Sequence, residues 1–212
     1  YSEPVEKDKA TTAFAVATLK NNELINFKKI ISAADPSDEK IHFGSRIEFD
    51  GKGHIFITVG ERNARKNVLK LGYHTGKVLR FNEDGSVPKD NPYVKEKGAQ
   101  PEIWSIGHRN PQGLAYNSET AELWLVEMGP RGGDELNLIK PGQNYGWPEV
   151  TYGREYYGPK IGVKKKAGTV EPVEFWVPSI SPSGMALYRG SVFPKWKGNL
   201  FMATLATTHV RR

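Results

Sequence analysis

The chain has 212 residues, 38% of them hydrophobic and 25% charged, with a formal net charge of +6 and no cysteine. It is long enough for one domain with a real core and too apolar to be disordered. Disulfides and cysteine-ligated metals are excluded, and no apolar run approaches the roughly 20 residues of a membrane-spanning helix. The 22 glycines and 14 prolines suit short strands joined by many turns rather than a helical bundle. Lysines and arginines are spread along the chain, so the basic balance does not point to nucleic acid. The densest run, Lys164, Lys165 and Lys166, reads as a solvated loop with a general attraction for anionic partners.

Three stretches share one plan in chain order. Arg46–Phe49 and His54–Gly60 flank the turn Asp50-Gly51-Lys52-Gly53. Gly113–Tyr116 and Glu122–Val126 flank a turn over Asn117–Thr120. Gly184–Tyr188 and Asn199–Thr204 flank a loop through Pro194 to Gly198. Each predicts two short strands around a turn, and the plan recurs at intervals of about 70 residues. Repeated antiparallel units bury their faces against copies of themselves, which is propeller logic. The expected fold is all-β. Residues 62–72 are the best place for a short helical or irregular insert. A further strand is expected over Thr207–Arg212.

Three segments carry chemistry. The run Glu127-Met128-Gly129-Pro130-Arg131-Gly132-Gly133-Asp134-Glu135 follows directly on a strand and offers carbonyls and two close carboxylates. Hard oxygens of this kind suit calcium, although EF-hand spacing is missing. The alternative is a polar turn whose acids cap backbone amides. His108-Arg109-Asn110-Pro111-Gln112-Gly113 precedes a repeat strand and presents planar donors, or is a turn with a surface arginine. His42 stands before another repeat strand, in the place Arg109 holds in the second repeat. Both then point into one mouth, and histidine suits general-base work near neutral pH. A packed or solvent-facing ring is the plainer alternative for His42, as for His54, His74, His108 and His209. His54, at a hairpin tip, is expected to be exposed. Asn144-Tyr145-Gly146-Trp147-Pro148 and the nearby Tyr152, Tyr156 and Tyr157 offer aromatic walls that suit sugars, flat cofactors or a core equally.

Taken together, His42-x-Gly44-x-Arg46, Gly76–Arg80 with Asp84–Pro92, Gly107–Gly113, Gly129–Glu135 and Asn144–Pro148 resemble the soluble PQQ-dependent glucose and aldose sugar dehydrogenases, in order and in register from about residue 38 to 205. The resemblance implies a six-bladed β-propeller. This chain would carry about half of it, three to four blades, as a single partial domain over 1–212 truncated at both ends. The implied reaction is oxidation of aldose sugars at the anomeric carbon to lactones, with hydride transfer to PQQ. His42 would be the base and Arg109 would stabilise charge on the quinone. Arg109, Asn110, Gln112, Tyr156, Thr204, Leu205 and Ala206 would line the PQQ site, with Ala206 standing where the family carries Lys or Arg. Calcium would be held by the carbonyls of Gly129 and Pro130, and a further calcium by Glu135 and Tyr145. The implied partners are an aldose substrate and an external electron acceptor, with a homodimer, a periplasmic or extracellular setting, and no nucleic acid or membrane span. The alternatives are a non-catalytic propeller binding module and a calcium-dependent propeller lactonase.

Overall fold

The computed structural model describes residues 1–212. It contains no α-helix and fourteen strands in four antiparallel sheets. The first sheet is β1 (Ser2–Glu6), β2 (Lys9–Lys20) and β3 (Glu23–Ser32). The second is β4 (Gly44–Phe49), β5 (His54–Val59), β6 (Lys77–Asn82) and β7 (Ile103–Ile106). The third is β8 (Pro111–Asn117), β9 (Glu122–Glu127), β10 (Asp134–Ile139) and β11 (Glu174–Trp176). The fourth is β12 (Pro182–Leu187), β13 (Leu200–Thr204) and β14 (His209–Arg211). The second and third sheets run in simple up-and-down order, and β4, β8 and β12, their first strands and that of the fourth sheet, stand side by side. These are blades of a partial propeller, as the repeats predict.

The sequence of β5 explains the stacking. In a strand, alternate side chains face opposite ways. Ile55, Ile57 and Val59 join Phe14, Phe81 and Ile103 in a buried cluster shared with the first sheet. Phe56, facing the other way, joins Leu114, Leu123, Leu125 and Tyr145 of the third-sheet region. A smaller cluster of Val126, Ile180 and Met202 seals the third sheet to the fourth. A strand covered on both faces reads as an apolar run, which is why His-Ile-Phe-Ile-Thr-Val lacks a polar alternation. Truncating one of these side chains to alanine costs about 2–5 kcal/mol.

The turn before β5 is fixed by one side chain. The Asp50 carboxylate accepts from the amides of Lys52 (2.7 Å) and His54 (3.0 Å), while Gly51 and Gly53 take the positive φ values the turn requires. His54 is not the exposed tip expected from its position. Its Nδ1 lies 2.7 Å from Asp50 and its Nε2 2.8 Å from an Arg80 guanidinium nitrogen, which half-buries the ring. The insert expected over 62–72 contains a single 3₁₀ turn, Arg65–Asn67. The long hairpin β2–β3 precedes the first repeat and does not share its plan.

Lys77, at the start of β6, is wholly buried. Its Nζ donates to the carbonyls of Val68 (2.6 Å) and Thr75 (2.7 Å). Two acceptors suit a neutral amine, which has two hydrogens to give. Burial pushes its pKa down to about 7 against the weaker opposing pull of Asp35. The unfolded chain therefore binds a proton that the folded chain lacks between about pH 7 and the ordinary lysine value. Stability should rise with pH across that window by up to about 1.4 kcal/mol per unit. Urea unfolding from pH 7 to 10 checks this, with the rise expected to be lost in Lys77→Met.

Candidate active site at the strand ends

Three polar segments meet at one end of the second and third sheets. The first is the bend His42–Gly44 before β4. His42 holds a left-handed backbone (φ 53°), and its carbonyl packs so tightly on Gly60 that a Cβ there would lie 1.9 Å from the carbonyl oxygen. Gly60 is thus required by close approach. The next residue, Glu61, is 1% exposed. Its Oε1 lies 2.6 Å from His42 Nδ1, and its Oε2 has no partner. An anionic carboxylate here accepts the Nδ1 hydrogen, leaving Nε2 of His42 as the free acceptor.

The second segment is Gly107–Pro111. The Glu61 amide donates to the Arg109 carbonyl at 2.8 Å, so the residue that orients His42 also fixes Arg109. The Arg109 amide donates to Glu127 Oε2 at 2.7 Å, and its Nη1 donates to the carbonyls of Met128 (3.1 Å) and Gly129 (2.5 Å). Its Nε is buried without a partner. Asn110 accepts from Gln112 at 2.9 Å and lies 3.8 Å from Met128 Sδ. Gln112 is held from the neighbouring sheet by Arg46, which donates to its carbonyl and side-chain oxygen. His108 is a satisfied core ring, with Glu127 and Ser105 each 2.9 Å from its nitrogens.

The third segment is Glu127–Glu135. Asp134 takes the capping role. Its carboxylate accepts from the amides of Gly129, Ile180 and Ser181 and from the Ser179 hydroxyl. Glu135 is different. It sits opposite Glu127 across the β9–β10 ladder, both buried, and its one hydrogen bond comes from Asn137 at 3.3 Å. Burial, reinforced by the Glu127 charge, holds its pKa well above the usual carboxylate range. The two facing carboxylates line a small cavity with Arg109, Gly129 and Tyr145. Their oxygens are of the hard kind a divalent cation prefers. Both oxygens of Glu127 are engaged, however, by His108, Asn137 and the Arg109 amide, and no third acid or histidine completes a metal-ligand group. Tyr145 turns its hydroxyl away, between the Lys140 amide and the Leu138 carbonyl, and leaves its main-chain carbonyl without a hydrogen bond. The Gly129 carbonyl is occupied by Arg109, so a cation there requires the arginine to let go. The partnerless Arg109 Nε beside these groups fits an anionic cofactor such as PQQ.

The remaining expected residues are separate. Tyr156 is 68% exposed and lines an open cleft with Pro130. Thr204 is buried, its hydroxyl donating to the His209 carbonyl at 2.7 Å. The amides of Leu205 and Ala206 are taken by Ser181 and Ile180. No hydrogen bond joins these three to Arg109 or Asn110. The residue that sequence reading missed is Glu61. Its signal was weak: one acid just past an apolar strand, next to a glycine.

The sequence profile of the Glucose / Sorbosone dehydrogenase family matches residues 1–212. The aldose sugar dehydrogenase YliI of Escherichia coli K12 is 44% identical over 210 residues, covering 97% of this chain and 57% of that protein. The crystal structure of the soluble aldose sugar dehydrogenase from Escherichia coli in the apo form superposes with a TM-score of 0.95 at 42% identity, covering 99% of this chain and 62% of that one. The PQQ-bound aldose sugar dehydrogenase from Streptomyces coelicolor superposes with a TM-score of 0.71 at 29% identity, covering 95% and 54%. The chain thus spans little more than half the length of these relatives. It belongs to the Glucose / Sorbosone dehydrogenase family.

Proposed function

We propose that the protein carrying this chain oxidises aldose sugars at the anomeric carbon, with PQQ as cofactor and calcium bound beside it. The observation that carries the reading is the linked set His42, Glu61 and Arg109: a 2.6 Å contact orients the base, and a 2.8 Å bond ties its partner to the arginine. PQQ, when bound, supplies the two-electron acceptor for the anomeric hydride. His42 Nε2 takes the proton of the anomeric hydroxyl, and the product is a lactone. Glu61 fixes the tautomer beforehand and stabilises the imidazolium afterwards. Arg109 supplies fixed positive charge for the developing oxyanion. Asn110, Gln112 and Tyr156 would orient the cofactor, with Thr204, Leu205 and Ala206 contributing hydroxyl and backbone from the fourth sheet. Glu135, with Glu127 and the carbonyl of Tyr145, would hold one calcium, and Gly129 and Pro130 another. An external electron acceptor would complete the cycle. A chain without cysteine is compatible with a periplasmic or extracellular setting. The lactonase alternative would need carboxylates open to substrate, and Glu127, Asp134 and Glu135 are all buried.

The test is reduction of an artificial dye by the PQQ- and calcium-loaded protein with an aldose. His42→Ala should lower kcat about a hundredfold or more. Glu61→Gln should cause a smaller loss and change the pH profile, with PQQ affinity retained. No reduction by the wild type, or undiminished reduction by His42→Ala, overturns the reading.

The buried carboxylate pair gives a second test. Metal-free stability should fall as pH rises above about 4.5, where unfolded Glu135 ionises and folded Glu135 resists. Calcium at a hundredfold excess over its Kd should stabilise the protein by about 3 kcal/mol. Glu135→Gln should raise metal-free stability at neutral pH and abolish the calcium gain. Thermal unfolding with and without calcium measures both.

A further inference from the structure

Next to the mouth lies an open cleft of about 970 Å³ whose charge is one-sided. Arg131, Arg154, Lys160 and Lys164 line it, and no acidic side chain does. The backbone brings three of these cations together. Arg131 and Arg154 exchange main-chain hydrogen bonds of 3.0 and 3.3 Å, and Arg154 bridges Lys160 in turn. Residues paired in this way project to the same side. Like charges directly opposite one another destabilise a ladder, so the row carries a cost.

None of the four cations forms an ion pair. The one side-chain hydrogen bond among them is a long one, from Arg131 to the Tyr156 carbonyl at 3.5 Å. The neighbouring lysines differ. Lys165 pairs with Glu171 at 2.6 Å and Lys166 with Glu149 at 2.6 Å. Glu155, within the same loop, is drawn to Arg65 at 2.5 Å. Asp134, behind the cleft-lining Ser179 and Ser181, is saturated by amides and a hydroxyl. The local acids are thus used elsewhere, and the cleft keeps its positive charge.

Aromatic faces complete the wall. Tyr152 stacks on Phe175 with centroids 3.7 Å apart and planes 11° from parallel. Tyr156 is the most exposed ring in the cleft. Flat faces suit the C–H face of a sugar ring, and an unpaired guanidinium row suits a carboxylate or phosphate. Pro130 lines the cleft, and its neighbour Gly129 accepts a hydrogen bond from Arg109.

We propose that this cleft binds the acidic group of an anionic sugar, a carboxylate or a phosphate on the ring, and so directs the protein toward acidic aldoses. The cleft shares Pro130 and Tyr156 with the cofactor site proposed above, and its use as a substrate subsite rests on that dehydrogenase reading. Calorimetric titration of the PQQ- and calcium-loaded protein tests it with four probes: glucuronate, glucose 6-phosphate, glucose and inorganic phosphate. The two acidic sugars should bind, with affinity falling as salt rises. Glucose and phosphate alone should bind at least about tenfold more weakly. Arg154→Ala combined with Lys160→Ala, both exposed side chains, should weaken acidic-sugar binding about ten- to hundredfold. Lys165→Ala, whose partner is Glu171, should leave it unchanged. Glucose binding as tightly as glucuronate, or an unaffected double variant, overturns the proposal. Phosphate binding as tightly as glucose 6-phosphate overturns its sugar component. Dye reduction with neutral glucose, read in parallel, separates the two readings. Its loss with acidic-sugar binding intact fails the dehydrogenase reading alone, and its presence without charge preference fails this one.

Discussion

The hydrogen bond from the Glu61 amide to the Arg109 carbonyl, 2.8 Å long, is the joint on which the mouth depends. It crosses from the end of the second sheet to the start of the third, and each of its residues carries a charged side chain buried to within 5% of full enclosure. A carboxylate or guanidinium so placed is costly unless fully partnered. Glu61 gives one oxygen to His42 and keeps one spare; Arg109 gives two bonds to carbonyls and keeps Nε spare. The protein therefore gives up stability to hold two half-satisfied groups of opposite charge on residues joined through their main chains. Such an arrangement is expected of a site that completes its bonding only when something enters.

The scaffold allows this because its sheets are covered on both faces. With Ile55, Ile57 and Val59 packed one way and Phe56 the other, β5 cannot slip register without exposing one set of apolar side chains. That rigidity reaches the mouth through Gly60, which follows β5 directly and admits the His42 carbonyl. Core packing and base placement are thus the same constraint read at two ends of one strand.

The sheets were legible because their hairpins obey local rules: an apolar run, a turn with Asp and Gly, another apolar run. The strand expected over Thr207–Arg212 is also present as β14. The β2–β3 hairpin was not legible, since its residues alternate weakly and many of them stay exposed. Within the site, His42 and Arg109 stood out by their places before repeat strands. Glu61 did not, because a carboxylate's burial and its 2.6 Å contact with a ring 19 residues away are tertiary facts. His54 shows the same limit in reverse: a hairpin position reads as exposed until Asp50 and Arg80 close on it. Asp134 and Glu135, adjacent in sequence, diverge for one reason. Neighbouring side chains on a strand face opposite ways, and one way offers amides while the other offers a second carboxylate.

Charge is therefore sorted by side. Glu127 and Glu135 share a small cavity with Arg109, whereas Arg131, Arg154 and Lys160 line the neighbouring cleft, which has no acidic side chain. Two short runs join the groups, Gly129–Gly133 and 150–154. The acids are buried and the cations exposed. A buried carboxylate keeps its desolvation cost until a partner enters, whereas an exposed cation is already solvated, so the two groups answer to ligands on different terms.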